Sequence, residues 1–169
     1  MPPKLNDPEY NAEVMASWRE KIAEARDLFA KLDVAGAERA LQLALEQAAH
    51  FGNTSGPVAT SLLNLAQLYK RSGRLDEALP LLERAAKVAK GASGPKHPQH
   101  ATALSNLAGA LLNLGRSKEA RRHYAAALKI NEAALGKDHE STREVREGLE
   151  ACEAAEEARP RGKRKKRRK

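Results

Sequence analysis

Cysteine is almost missing. Cys152 stands alone in the chain, so neither a disulfide framework nor a cysteine-rich metal site can be built. Aromatic residues are scarce as well, with one tryptophan, three tyrosines and two phenylalanines. Alanine and leucine supply most of the apolar set, a mix that suits packed helices and argues against a β-sandwich. No apolar run approaches the roughly 18 residues of a membrane span, so none is expected to cross a bilayer. Residues 1–10 are polar and hold no apolar stretch ahead of a cleavage site, so a secretory leader is not expected. The simplest setting is a reducing interior, the cytoplasm, with the nucleus as an alternative in a eukaryote. His97, His100, His123 and His139 lack ligand spacing. There is no glycine-rich phosphate loop, nucleophile elbow or serine–histidine–acid set. Neither a cofactor, a metal nor an enzymatic activity is expected.

What the chain does contain is one phrase written twice. Leu62, Leu65, Ala66, Tyr69, Gly73, Ala78, Leu82 and Ala85 recur as Leu104, Leu107, Ala108, Leu111, Gly115, Ala120, Tyr124 and Ala127. Every pair lies 42 residues apart. Within a copy the apolar residues fall at i, i+3, i+4 and i+7, one face of a helix. Gly73 then reads as a helix stop and tight turn before a second helix. The alanines let two backbones approach closely. Such a helix pair cannot bury its apolar face alone, so neighbouring pairs must stack.

This spacing resembles the tetratricopeptide repeat. The period, with Leu104–Ala108 and Leu135–His139, is similar to the kinesin-light-chain subtype, whose repeats run to about 42 rather than 34 residues. The resemblance covers roughly residues 20–140. It implies an all-α fold: a right-handed α-α superhelix of three helical hairpins with a carboxy-terminal capping helix. Pro80 would normally bend a helix interior, but the resembled subtype tolerates proline near the start of its second helix.

The first repeat matches less well. Shifted by 37 residues, Ala25, Leu28, Phe29, Leu32 and Gly36 align with Leu62, Leu65, Ala66, Tyr69 and Gly73. Leu41, Leu45 and Ala48 then align with Ala78, Leu82 and Ala85, and the shortfall is placed in the second helix and loop. The stripe Val14, Trp18, Ile22, Ala25, Phe29 and Leu32 faces inward, with Trp18 an anchor at the open end of the stack. Ser141 and Glu144 predict a capping box ahead of a last helix that turns Val145, Leu149 and Cys152 inward. The expected plan is a disordered start over 1–8, then one domain over 9–158. Its repeats lie near 9–52, 57–94 and 99–136, with a capping helix over 139–158. A disordered tail over 159–169 completes it.

Two surfaces are candidates for binding. Residues one step off the buried stripe face the concave side: Asn64, Gln67, Lys70 and Arg71 in the second repeat, and Ser105, Asn106, Gly109 and Asn113 in the third. Asp27, Ala30 and Asp33 or Val34 are their counterparts in the first. The resemblance implies that Asn64 and Asn106 hydrogen-bond the backbone of an extended peptide, for which an amide offers both donor and acceptor. It also shows that the lysine–asparagine set that clamps a terminal carboxylate in chaperone cofactors is not assembled here. The expected activity is that of a scaffold or adaptor holding an extended peptide or a partner helix. The second surface is the tail. Arg159 and Arg161, Lys163, Arg164, Lys165, Lys166, Arg167, Arg168 and Lys169 make nine of the 30 basic residues, and the other 21 face 22 acidic ones. The domain is thus nearly neutral and the tail holds the excess charge. Such a run suits nucleic acid, chromatin, an anionic surface or a nuclear-import receptor. It lacks interleaved aromatics for stacking on bases.

Overall fold

The computed structural model describes residues 7–158. The basic tail lies outside them, as does the amino-terminal segment apart from Asp7 and Pro8. Seven helices follow in order: α1 (Pro8–Ala30), α2 (Val34–Ala49), α3 (Gly56–Arg71), α4 (Leu75–Ser93), α5 (Pro98–Asn113), α6 (Ser117–Ala134) and α7 (Glu140–Glu157). Sequential neighbours pack as antiparallel hairpins, α1 with α2, α3 with α4 and α5 with α6, and α7 closes the stack on α6. This is the all-α stack of helical hairpins with a distinct terminal helix.

The repeated alanines hold the helices together. Ala66, Ala78, Ala85, Ala108, Ala120 and Ala127 are all fully buried. A longer side chain at any of them would push two backbones apart. Leu65, Tyr69, Leu82, Leu107 and Leu111 fill the space at the turn end of the hairpins. Val58, Leu62, Ala89, Leu104 and Val145 form a second cluster at the far end. Trp18 packs against that second cluster, and its indole N–H donates to Ser61 Oγ at 2.8 Å. It is therefore a satisfied anchor, as its place on the stripe predicts.

Each hairpin turn is made the same way. Gly73 and Gly115 take the left-handed conformation at φ 77° and 72°. The residue after each closes the helix end: Arg74 N–H donates to Tyr69 O, and Arg116 N–H to Leu111 O, both at 2.8 Å. In the first hairpin Asp33 N–H donates to Leu28 O at 2.9 Å, and the left-handed residue is Leu32 at φ 64°. This corrects the register of the first repeat. Leu32, not Gly36, matches Gly73. Ala37, Leu41, Ala44 and Ala48 match Ala78, Leu82, Ala85 and Ala89, an offset of 41 residues rather than 37. Gly36 sits buried in the first turn of α2, where its N–H donates to the Asp33 carboxylate at 2.8 Å. The remaining shortfall lies in the second helix, as expected, but not in the loop: α2 has 16 residues against 19 in α4, while the loop over 50–55 is longer than that over 94–97.

Leu32 is also 85% exposed, so it does not belong to the inward stripe. A branched side chain in this conformation is strained, and little of its apolar surface is covered. Leu32→Gly is expected to stabilise the fold by about 1 kcal/mol. A thermal midpoint below that of the parent chain would contradict this account of the turn.

The helix starts differ from expectation in two places. Asp7 caps α1 by accepting from Glu9 and Tyr10 N–H at 3.0 and 3.3 Å, so the helix opens on Pro8. Ser141 does not cap α7. His139 does, its Nδ1 accepting from Ser141 N–H at 3.2 Å, and His97 caps α5 from the equivalent place, accepting from Gln99 N–H at 3.1 Å. These two histidines are helix caps at matching turns. Pro80 lies inside α4 on its exposed side, and the helix continues past it.

Arg74 braces the first two hairpins. Its guanidinium bridges Glu38 at 2.6 Å and Glu77 at 2.7 Å, and Tyr69 Oη donates to Glu38 at 2.7 Å. The Arg74 hydrogen bond, and after it that of Tyr69, holds the Glu38 carboxyl below the ordinary carboxylate value.

Candidate binding groove

The odd-numbered helices touch one another directly, α1 with α3, α3 with α5 and α5 with α7, whereas α2, α4 and α6 do not meet. The side lined by odd helices is therefore the shorter, concave one. Two joined clefts run along it.

The first cleft, of about 270 Å³, lies between α1 and α3. Ile22, Phe29 and Leu68 make its apolar wall, and Arg26, Asn64, Gln67 and Arg71 rim it. The Arg71 guanidinium stacks over the Phe29 ring, 4.7 Å from its centroid. The second cleft, of about 290 Å³, lies between α3, α5 and α7. Lys70, Ser105, Asn106, Gly109, Tyr124 and Glu144 are among its lining residues. A shallow surface shared by Asn64, Gln67, Lys70 and Asn106 joins the two.

Seven of the eight expected groove residues thus lie along this channel: Asn64, Gln67, Lys70, Arg71, Ser105, Asn106 and Gly109. Asn113 does not line it; it is exposed in the last turn of α5. In the first repeat the corrected register matters. Asp27, Ala30, Asp33 and Val34 are not channel residues, and Ile22, Arg26 and Phe29 take that place. The signal was present in the sequence, since an offset of 41 sets Arg26 opposite Gln67 and Phe29 opposite Lys70.

The polar groups differ in how far they are already committed. Asn106 Nδ2 donates one N–H to Thr102 O at 3.0 Å, which leaves its second N–H and its carbonyl oxygen for a guest. Ser105 Oγ donates to the same carbonyl at 3.1 Å. Asn64 makes no side-chain hydrogen bond among the described residues and offers both ends of its amide. α5 carries no charged side chain at all, so the cations of the channel come from α1 and α3 and its acid, Glu144, from α7. Burial lowers the pKa of the Lys70 ammonium from its ordinary value.

Among the described residues no group of three or more histidine, cysteine or acidic side chains could hold a metal, and no helix is long and apolar enough to cross a membrane. Cys152 is fully buried, and burial first, then Glu156, pushes its thiol pKa up. That favours the inert protonated form.

The tetratricopeptide repeat family matches residues 15–91, 57–130 and 99–160. Human mitochondrial tetratricopeptide repeat protein 19 is 32% identical over 126 residues, which is 74% of this chain and 32% of that protein. The chain therefore spans about a third of that relative. Among solved structures, a Podosopora anserina putative kinesin light chain with nearly identical TPR-like repeats superposes with a TM-score of 0.74. It is 23% identical, over 82% of this chain and 66% of that one. The Yersinia enterocolitica type III secretion chaperone SycD, in complex with a peptide of the translocator YopD, gives 0.61 at 18% identity, over 82% and 93%. At such identities the likeness to both structures is one of fold.

Proposed function

Because this chain belongs to the tetratricopeptide repeat family, a family of scaffolds and adaptors rather than enzymes, we infer that its concave channel holds an extended peptide or a partner helix. One observation carries the reading: Asn64 and Asn106, one repeat apart, both line the surface that joins the two clefts. Each keeps its amide oxygen and at least one amide N–H free of protein partners. Polar groups left open at regular spacing suit the peptide units of a guest of any sequence. SycD, similar in fold, is seen with a peptide of its translocator. The 42-residue step from Gly73 to Gly115 supports repeats of the longer, kinesin-light-chain-like type.

The test uses random-sequence peptides displayed on phage and selected on the full chain in physiological salt. Selection is expected to return binders. The double substitution Asn64→Ala with Asn106→Ala should weaken them about tenfold, the worth of one or two hydrogen bonds to buried amides. Unchanged affinity in a double variant that melts like the parent would remove both residues from the site.

A further inference from the structure

The third repeat departs from the second at one linked set of positions. Tyr124 on α6 stands where the second repeat has Leu82. Facing it are two glycines. Gly109 on α5 replaces the equivalent of Gln67, and Gly148 on α7 the equivalent of Asn106. The geometry explains the exchange. A Cβ on Gly148 would lie 2.5 Å from the Tyr124 ring, and one on Gly109 would lie 3.2 Å from its hydroxyl. A side chain on Gly148 would block the ring's passage between α5 and α7, and one on Gly109 would crowd its hydroxyl. Each helical glycine costs about 1 kcal/mol relative to alanine, so the passage is a built feature with a cost.

Its result is a hydroxyl delivered to the second cleft, beside Lys70. The Cβ that Gly109 lacks would be 4.0 Å from Lys70 Nζ as well, so ammonium and hydroxyl share the space above that glycine. Neither group is satisfied by the protein. Among the described residues no carboxylate comes within ion-pair reach of Lys70, and Tyr124 Oη makes no hydrogen bond. A half-buried cation and a hydroxyl donor, both without a protein partner in one cleft, fit an anionic guest group.

We propose that this cleft seats one aspartate or glutamate side chain of the bound peptide, with Lys70 and Tyr124 donating to its carboxylate. Glu144 on the cleft wall repels a second carboxylate, so the seat selects an isolated acid flanked by uncharged residues rather than an acidic run. The assignment rests on the groove reading above and sharpens it.

The peptides selected on the full chain provide the probe. The basic tail draws any acidic peptide, so the readout is coupling to Lys70 and not overall acidity. Selected peptides are expected to carry one acidic position. Changing it to the amide should cost about tenfold on the parent chain and at most about twofold on Lys70→Met, which keeps the packed stem and the tail. Tyr124→Phe, which removes only an unbonded hydroxyl, should leave the melting point in place and weaken the acidic peptide about threefold. Binders with no acidic position, or an acid-to-amide change that costs as much on Lys70→Met as on the parent, would overturn the seat and leave the groove standing. Failure to select any binder would overturn both.

Discussion

Leu62→Ala should lower the stability of the chain by about 3 kcal/mol. Leu62 is fully buried in the cluster that joins α3 to the hairpins on either side. Alanine is the better helix former, so nothing is lost in α3 itself and the whole effect is packing and cavity. The form of the loss matters as much as its size. Hairpins that cannot bury their faces alone unfold with their neighbours, so the urea midpoint should fall while the slope of the transition stays the same. A reduced slope would mean that the second hairpin separates from the rest. An unchanged midpoint would mean that the far-end cluster does not bind the stack together.

Gly148→Ala should also destabilise, against the usual direction. In an exposed helix the change would gain about 1 kcal/mol. Here the new Cβ falls 2.5 Å from two ring carbons of Tyr124 and 2.9 Å from its hydroxyl. The ring must swing out toward the cleft and give up packing between the two helices, and such overpacking costs about 1–3 kcal/mol, enough to reverse the sign. The rescue is specific. Adding Tyr124→Leu installs the residue that the second repeat uses at Leu82, and the double variant should regain most of the loss in a thermal melt. Additive losses in the double variant would show that the glycine serves something other than the ring.

The second and third repeats were legible from the sequence because their signals agree. Apolar spacing, alanine positions and a turn glycine all give the same register, and seven groove residues follow from it. The first repeat was misread because one signal was trusted over the others. Glycine is the usual occupant of a left-handed turn, which drew the alignment to Gly36, yet the chain places Leu32 there. The small–large–small order Ala37, Leu41, Ala44 and the capping Asp33 were the better guides. The histidine caps were missed for a related reason. Histidine is not among the common capping residues, so Ser141 attracted the reading that belongs to His139. Asn113 was counted in the groove because a polar residue near the stripe looks alike at the middle and the end of a helix. In the folded chain the last turn of α5 leaves it clear of the channel. The seat beneath Lys70 could not be read from spacing alone, since it depends on a ring crossing between two helices.

Chemical-shift mapping of the full chain with a selected peptide tests the account most directly. The account predicts perturbations concentrated at Arg26, Asn64, Gln67, Lys70 and Asn106, along the concave faces of α1, α3 and α5. Perturbations confined to the outer faces of α2, α4 and α6, with the channel unmoved, would contradict it.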